Sequence, residues 1–313
     1  MKEMRLLIYD EDAAYIKEKL ERKFPGLSIH AAEPGEDVLE IMGTIDILMA
    51  KKFRDDFMKK AKRLQWIQCL ITGVDYILSI PSLPKDVILT STRGIHGPQM
   101  SELAFLLMLA LTRKFPQTVR NQDKRIWDSR RVSLLYRKNV GILGVGVIGK
   151  EIARKCKAFD MTVYGITRKK RKIDFVDFSH GPDELLGVLE EVDYFINVVP
   201  ATPETLKIIG PKEFDAMKTT AFFINIGRGE TVDEEALVDA LKKGKIAGAG
   251  LDVFCTEPLP SDHPLWGMQN VIISPHVGGK SDIYPDQVLP TLEENLNRFL
   301  KGERRGLINY IER

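Results

Sequence analysis

The glycine-rich segment 140–150 constrains the fold of this chain more than any other part of its sequence. Its letters, VGILGVGVIGK, contain a GxGxxG string that follows an apolar, strand-like run and opens a helix-like stretch. A lone glycine pattern is weak evidence, but this context is typical of the first turn of a dinucleotide-binding βαβ unit. The segment therefore predicts a nucleotide-binding α/β domain rather than an unliganded glycine turn.

Each glycine of the string has a predicted task. Gly144 permits the tight turn, Gly146 lets the backbone approach a pyrophosphate, and Gly149 allows the helix to pack closely on the strand. The backbone N–H groups around Val147 and Ile148 then face a diphosphate at the helix N-terminus. Main-chain atoms are therefore expected to hold the ligand at this point.

Short apolar runs alternate with amphipathic stretches along the rest of the chain, a pattern that predicts mostly parallel sheets covered by helices. Strands are predicted over residues 5–9, 45–49, 67–71, 87–89, 140–143, 162–166, 194–199, 221–226, 247–252 and 271–273. Helices are predicted over residues 11–24, 99–115, 150–159, 182–190, 233–243 and 290–300. The polar stretch 120–131 carries Trp127, which is interpreted either as part of a partner-binding arm or as a side chain packed on its own domain.

The composition limits the class of protein. The 313 residues suggest two domains, and the net charge of +2 argues against a protein that coats nucleic acid or a membrane. Three cysteines without metal or redox spacing predict free thiols, no metal site and a reducing compartment. An acidic N-terminus and the short apolar run 103–111 predict neither a signal peptide nor a membrane span, so a soluble cytoplasmic protein is expected.

A basic run at residues 168–172 follows the second predicted strand of the nucleotide-binding domain. An NAD-preferring site usually has an acidic residue there for the ribose 2′-hydroxyl, but residues 161–173 contain none. Thr167 offers a hydroxyl, while Arg168 and Lys169 offer charge to a 2′-phosphate. The sequence therefore predicts a preference for NADP(H), with use of NAD(H) and a merely solvated basic loop left open.

Three later segments end predicted strands, at the sheet edge where open α/β folds bind their ligands. Arg228 can clamp a carboxylate, His276 can protonate an alkoxide near neutral pH, and Glu257 can accept from the other ring nitrogen. Asp252 is placed to orient a nicotinamide carboxamide. Together these residues meet the needs of 2-keto acid reduction by a hydride donor.

Each of these residues also has a structural interpretation. Arg228 can pair with a surface acid, Glu257 can simply end a strand, and a single histidine such as His276 is more often structural. Their joint occurrence on three successive strand ends, downstream of a dinucleotide loop, favours chemistry.

At these residues the chain resembles the D-isomer-specific 2-hydroxyacid dehydrogenases, over nearly its whole length. The resemblance rests on the segments GILGVGVIG, INIGRGETVDEEALVDAL, GAGLDVFCTEP and HPLWGMQNVIISPHVGG. It implies that Arg228, Glu257 and His276 form the family's catalytic set. It also implies reduction of a small 2-keto acid to the D-2-hydroxy acid with NADPH, His276 being the general acid/base. Glyoxylate and hydroxypyruvate are the first expected substrates, since that subgroup often has a basic residue where Arg168 stands.

The resemblance also implies the arrangement of domains. A Rossmann-type doubly wound parallel sheet, residues 93–285, is expected as an insertion into a flavodoxin-like α/β substrate domain formed by residues 1–92 and 286–313. Family members are usually homodimers joined through their cofactor domains. This favours a dimer arm as the role of Trp127.

The motifs described above and the resemblance together give the full set of predicted site residues. The predicted substrate-binding residues are Thr72, Gly73, Val74 and Arg228. The predicted cofactor-binding residues are Met100, Gly144, Gly146, Val147, Ile148, Gly149, Thr167, Arg168, Lys169, Val199, Pro200, Thr205, Ile226, Asp252, His276 and Gly278. The loop 71–75 is similar to one that binds the substrate carboxylate through backbone N–H groups. Met100 matches a position near the nicotinamide, and Val199-Pro200 resembles the adenine-side wall.

Departures from the family pattern leave the substrate open. Tyr76 stands where many relatives have Asn, and Lys51 with Lys52 would either favour a second anionic group on the substrate or be solvated. The competing class is a dinucleotide-sensing, corepressor-like interaction protein without significant turnover, which shares the fold. The intact catalytic set favours the enzyme.

Overall fold

The computed structural model describes residues 4–313, except for the side chain of Asp75. The chain forms two compact units, one containing the residues up to Ile95 together with Ser281–Arg313, the other containing His96–Lys280. The boundaries between the units lie between residues 95 and 96 and between residues 280 and 281. The sequence analysis expected boundaries between residues 92 and 93 and between residues 285 and 286.

Strands and helices alternate through most of both units. The strands are β1 (Arg5–Tyr9), β2 (Ser28–Ala32), β3 (Ile47–Ala50), β4 (Trp66–Cys69), β5 (Ile88–Thr90), β6 (Asn139–Leu143), β7 (Thr162–Ile166), β8 (Phe178–His180), β9 (Tyr194–Asn197), β10 (Phe222–Asn225), β11 (Gly248–Leu251) and β12 (Val271–Ile273). The α-helices are α1 (Ala13–Lys23), α2 (Leu39–Met42), α3 (Asp55–Lys60), α4 (Asp75–Leu78), α5 (Gly97–Thr112), α6 (Phe115–Asp123), α7 (Val147–Ala158), α8 (Leu185–Glu191), α9 (Pro211–Ala216), α10 (Glu234–Lys242) and α11 (Tyr284–Leu300). Short 3-10 helices cover Pro182–Glu184, Gly229–Thr231 and Pro264–Gly267.

The first unit is built on a parallel sheet with the strand order β2-β1-β3-β4-β5. This is the flavodoxin-like order, in which the direction of winding reverses between β1 and β3. β3 and β4 are buried along their whole length, so they appear in the sequence as apolar runs. The sequence analysis did not predict β2, because its sequence, SIHAA, contains no continuous apolar run.

The second unit is built on a parallel sheet with the strand order β12-β11-β10-β9-β6-β7-β8. This is the doubly wound dinucleotide-binding order with an additional edge strand, and it reverses between β6 and β9. The sequence missed β8, whose three residues, FSH, are half-buried or exposed. The predicted fold class, a Rossmann-type sheet combined with a flavodoxin-like α/β sheet, is confirmed by the two strand orders.

Helix α5 packs on the sheet of the second unit. Its buried side chains lie on nearly all its sides, as the continuous apolar sequence predicted. Gly250 in β11 permits the close approach, since a Cβ atom there would lie 2.9 Å from the Cβ atom of Leu107. A larger residue at position 250 would therefore push the helix off the sheet.

Helix α11 belongs to the core of the first unit. A helix was predicted only over residues 290–300, but it begins at Tyr284, with Pro285 in its first turn and Pro290 inside it. A proline in the first turn is tolerated because its missing N–H has no partner within the helix. The buried side chains of the helix include Val288, Leu292, Leu296 and Phe299. Neither this helix nor any other within residues 4–313 has the length and apolar character needed to cross a membrane.

The polar stretch 120–131 has two parts. Its start lies in α6, and the rest has no regular secondary structure apart from a turn. Trp127 is 95% exposed, so it does not pack on its own unit, and that alternative of the sequence analysis is wrong.

Candidate active site

The glycine loop between β6 and α7 adopts the geometry that its sequence predicts. Gly144 has a φ of +97°, which side chains other than glycine rarely adopt. A Cβ atom at Gly149 would lie 2.3 Å from the carbonyl oxygen of Gly144, so only glycine permits this contact between the helix and the strand end. Both positions therefore require glycine for steric reasons.

Gly146 differs, because a Cβ atom there would meet no atom within 4 Å. Its backbone faces open space at the N-terminus of α7, a helix of 12 residues, and the neighbouring Val147 is exposed. First-turn N–H groups and the helix dipole attract phosphate at such a position. The residues present therefore fit a dinucleotide diphosphate, held by the backbone of residues 145–148.

The five basic side chains of the run after β7 are all exposed, but they differ in their partners. Lys170 lies 3.0 Å from Glu184, whose pKa is lowered to about 2 by hydrogen bonds from the Gly181 N–H, Lys170 and His180. Arg168 and Lys169 are exposed, and no ion pair within 4.0 Å is found for them in the described part of the chain. The hydroxyl of Thr167, in contrast, donates to the carbonyl oxygen of Lys169, which ties down the loop.

Three further residues of the predicted cofactor-binding set have different surroundings. Val199 lies against the glycine loop, since a Cβ atom at Gly144 would be 2.9 Å from its Cγ1. The Thr205 hydroxyl donates to the carbonyl oxygen of Pro200 at 2.6 Å and so holds its own loop. Ile226 is almost fully buried in the core, which leaves its side chain little surface for a cofactor contact.

His276 and Glu257 form a short hydrogen-bonded pair. His276 Nδ1 lies 2.6 Å from Glu257 Oε2, and the other carboxylate oxygen accepts from the Phe254 N–H at 3.0 Å. Because Nδ1 faces Glu257, Nε2 is the ring nitrogen that this pair does not occupy. The imidazole is 47% exposed, so a ligand can reach it.

The turn that carries His276 is held by Asp252. One oxygen of this buried carboxylate accepts from the Ser274 hydroxyl at 2.6 Å and the Val277 N–H at 3.0 Å, and the other accepts from the Gly278 N–H at 3.0 Å. These bonds support a backbone with a φ of +53° at His276. The structure thus gives Asp252 an anchoring role within the unit, and its contact with a nicotinamide stays a prediction.

Close packing surrounds this turn. A Cβ atom at Gly278 would lie 3.0 Å from the sulfur of Met100 and 2.6 Å from Leu103, so Met100 lies beside the turn in the folded unit. His96, just before α5, lies beside Gly279, and burial lowers its pKa to about 4. The sequence analysis did not assign His96 a role.

Arg228 is positioned by a buried polar network that the sequence analysis missed. Asn197 Nδ2 donates to Asn225 Oδ1 at 3.1 Å and to the Thr231 hydroxyl at 2.6 Å. Asn225 Nδ2 and the Thr231 hydroxyl both donate to the backbone carbonyl oxygen of Arg228. The available clue was that β9 and β10 both end in asparagine, as YFIN and FFIN.

The three catalytic candidates lie on neighbouring loops of one unit. β10, β11 and β12 are adjacent in the sheet, and Arg228, Glu257 and His276 follow their carboxyl ends in that order. A Cβ atom at Gly229 would lie 2.0 Å from the carbonyl carbon of Phe254, so the first two loops touch through their backbones. The arrangement places an imidazole, a carboxylate and a guanidinium at the ligand-binding edge of a dinucleotide fold.

The loop 71–74 follows β4 in the first unit and is half-buried. Lys51, at the end of β3, lies 3.0 Å from the buried Asp10, while Lys52 is exposed and lies 5.8 Å from the centre of the Tyr76 ring. The two lysines therefore have different surroundings, and the charge of Lys51 is already compensated within its own unit.

A comparison with known families fits this chemistry. Residues 105–278, more than half of the chain, match the profile described as D-isomer specific 2-hydroxyacid dehydrogenase, NAD binding domain. The chain belongs to this family. It is therefore an NAD(P)-dependent oxidoreductase, and the second unit is its nicotinamide-dinucleotide domain.

Individual relatives extend over both units. A D-3-phosphoglycerate dehydrogenase of Methanocaldococcus jannaschii is 33% identical over 277 residues, which cover 86% of this chain and 52% of that protein. The chain thus spans about half the length of that relative. A glyoxylate reductase of Pyrococcus furiosus is 33% identical over 287 residues, which cover 86% of this chain and 84% of that protein.

Solved structures share the fold over almost the whole chain. A family member from Aeromonas salmonicida has a TM-score of 0.91 and 35% identity, with 99% of each chain covered. An NADPH-dependent glyoxylate/hydroxypyruvate reductase from Sinorhizobium meliloti, solved with NADP and sulfate, has a TM-score of 0.84 and 28% identity, with 99% of this chain and 98% of that chain covered.

Proposed function

We propose that this enzyme reduces a small 2-keto acid of the glyoxylate or hydroxypyruvate type to the D-2-hydroxy acid with NADPH. The observation that carries the proposal is the contact of 2.6 Å between His276 Nδ1 and Glu257 Oε2, which leaves Nε2 at the ligand-binding edge of the sheet. The names of the Pyrococcus and Sinorhizobium relatives support the substrate class.

In the proposed mechanism, His276 supplies the proton. The bound dinucleotide would supply the hydride to the carbonyl carbon, and Nε2 of the imidazolium donates its proton to the carbonyl oxygen, which becomes the hydroxyl. Glu257 holds the ring through Nδ1 and stabilises its charged form before transfer. In the second unit, the guanidinium of Arg228 is the group proposed to bind the substrate carboxylate. In the first unit, the family resemblance assigns carboxylate binding to the backbone N–H groups of residues 72–74.

The test is an assay of a panel of 2-keto acids with NADPH. The panel contains glyoxylate, hydroxypyruvate, pyruvate and 2-ketogluconate, and the product is analysed for the D-configuration. We expect the highest kcat/KM with one of the first two acids. Absence of turnover with every acid, combined with tight NADPH binding, would instead indicate the dinucleotide-sensing interaction protein.

The preference for NADPH is the second part of the proposal. Arg168 and Lys169 are exposed and have no ion pair within 4.0 Å among the described residues, whereas the exposed Lys170 is paired with Glu184. Arg168 is therefore the first candidate to bind a 2′-phosphate.

A matched pair of variants tests this assignment. Arg168→Ser should lower kcat/KM for NADPH by about tenfold to a hundredfold, as expected for a lost charge-assisted hydrogen bond, and leave the value for NADH nearly unchanged. Lys170→Ser, in the same run, should change the NADPH value by less than about threefold. An equal fall of kcat/KM for NADPH in both variants would indicate that the positive charge of the whole run attracts the cofactor, and not a specific contact of Arg168.

We also propose that two copies of the chain associate through the second unit. Exposed apolar side chains cluster in the sequence around α6 and after it: Phe115, Val119, Ile126, Trp127, Leu134 and Tyr136. A groove of about 300 Å³ beside them is lined in part by Leu109, Leu135 and Phe159. Light scattering should give a dimer mass for the native chain, and Trp127→Ser should shift it toward the monomer.

A further inference from the structure

Four side chains of the first unit form a group beneath the start of the loop 71–74, and no step of the proposed reaction uses them. They are Asp10, Lys51, Thr92 and Tyr284. The Tyr284 hydroxyl donates to the carbonyl oxygen of Leu70 and lies 3.2 Å from the Thr92 hydroxyl oxygen. Leu70 is the residue directly before the loop.

The protons of this group can be assigned from its chemistry. A carbonyl oxygen only accepts, so the single hydroxyl proton of Tyr284 points to Leu70. The Thr92 hydroxyl must then donate to the Tyr284 oxygen. The backbone N–H of Thr92 also donates to the carbonyl oxygen of Ile71 at 3.2 Å. The carbonyl oxygens of Leu70 and Ile71, at the start of the loop, therefore accept hydrogen bonds from Tyr284 and Thr92 respectively.

The ammonium group of Lys51 lies over the ring of Tyr284. The ammonium lies 5.3 Å from the ring centre and 3.0 Å from Asp10 Oδ1. Asp10 is at the end of β1 and Lys51 is at the end of β3, where the strand order of this sheet reverses. Burial raises the pKa of Tyr284 to about 12, so the hydroxyl keeps its proton at neutral pH.

We propose that Tyr284, together with Thr92, is a positioning residue that holds the loop 71–74 in the geometry that binds the substrate carboxylate. The proposal rests on the proposed function, which assigns the carboxylate to the N–H groups of this loop. A hydroxyl that fixes Leu70 acts on substrate binding and not on hydride or proton transfer. Its loss should therefore appear in KM and not in kcat.

The principal variant is Tyr284→Phe, which keeps the ring and removes only the hydroxyl. We expect KM for the 2-keto acid to rise about tenfold, the effect of one lost hydrogen bond, with kcat within about twofold and the Kd of NADPH unchanged. Thr92→Val removes the second hydroxyl and should raise KM in the same direction.

The second unit offers a matched control. The Tyr194 hydroxyl is also buried and lies 2.7 Å from the Thr112 hydroxyl, but Tyr194 begins β9, at the opposite end of its strand from the ligand-binding edge. Tyr194→Phe should lower Tm by an amount comparable to that of Tyr284→Phe and leave KM unchanged. A merely structural role of Tyr284 would make the two variants alike in KM as well.

Amide hydrogen exchange of the full chain tests the loop without any need for activity. Peptides that cover residues 70–76 should exchange several times faster in Tyr284→Phe than in the native chain or in Tyr194→Phe. Unchanged exchange would overturn the proposal, and so would an unchanged KM in an active enzyme. A native chain that binds NADPH but reduces no 2-keto acid would overturn the proposed function, while the exchange rates would still decide whether Tyr284 holds the loop.

Discussion

Two buried aspartates end strands of the two sheets, and their environments differ. Asp252 and Asp10 are each 1% exposed. Asp252 accepts from three neutral donors that use both of its oxygens. Asp10 uses one oxygen for the Asp12 N–H and Lys51, and within the described residues its Oδ2 has no partner.

The difference shows two ways to hold a charge at a strand end. Around Asp252 the backbone turn itself supplies donors, so the carboxylate fixes the turn that carries His276. Around Asp10 the two donors, the Asp12 N–H and the Lys51 ammonium, share one oxygen, and burial raises the pKa of the carboxyl group. The first arrangement defines the geometry of a turn, whereas the second leaves the carboxyl group partly unsatisfied.

The largest effect on activity is expected at His276, which lies in the turn held by Asp252. His276→Asn should lower kcat by about 10²-fold to 10⁴-fold and leave NADPH binding largely intact, because the variant loses the proton donor while the other predicted cofactor-binding residues are kept. Asparagine tolerates the positive φ at this position, so the turn should persist. The control is His263→Asn, which alters another His–Glu pair of the same unit, at 3.4 Å from Glu234, and should retain kcat.

The comparison predicts unequal costs for the same substitution at the two aspartates. Asp252→Asn replaces an accepting oxygen by a donor that faces N–H or O–H groups, and should lower the free energy of unfolding by about 2–3 kcal/mol. Because the turn loosens, kcat should also fall. Urea unfolding followed by circular dichroism measures the first effect; a loss below about 1 kcal/mol would contradict the anchoring role.

A buried histidine on the same unit predicts the pH dependence of stability. The pKa of His96 is lowered by burial to about 4, below its unfolded value, so the unfolded state binds more protons between about pH 6.5 and pH 4. The free energy of unfolding is therefore unaffected by His96 above about pH 6.5, and it decreases as the pH falls from there toward pH 4. Between pH 7 and pH 5 the free energy of unfolding should fall by about 2 kcal/mol because of His96. In His96→Asn, urea unfolding at the two pH values should show a decrease that is smaller by this amount.

The smallest effect is expected at the other aspartate. Asp10→Asn can place its amide nitrogen where Oδ2 has no partner and keep the accepting oxygen toward the Asp12 N–H. The partly exposed Lys51 then returns to water, so the cost should be about 1 kcal/mol or less. A cost equal to that of Asp252→Asn would remove the distinction between the two sites.

The local sequence predicted the parts of the site that depend on steric and chemical type. The glycine loop was predictable because Gly144 and Gly149 stand where no Cβ atom fits. Arg228, Glu257 and His276 were selected by chemistry and by their place after strands, and the structure puts them on adjacent loops. Their roles in turnover stay predictions.

Other features depended on contacts between distant segments. Asn197, Asn225 and Thr231 meet only because β9 and β10 pair in parallel register. Tyr284 was not singled out, because Pro290 was taken as the start of α11 and the contact with Leu70 spans a large part of the chain. Such partners share no local pattern in the sequence.

The sequence by itself determined the alternation of strands and helices, the phosphate-binding turn and the chemical identity of the site residues, since these depend on neighbours a few positions apart. The tertiary structure alone decided which charges are engaged. Lys170 and Lys51 have acidic partners, whereas no ion pair within 4.0 Å is found among the described residues for Arg168 and Lys52, which are close to them in the sequence. The physical reason is that a side chain's charge acts through what lies within a few ångströms of it, and that distance is set by the fold.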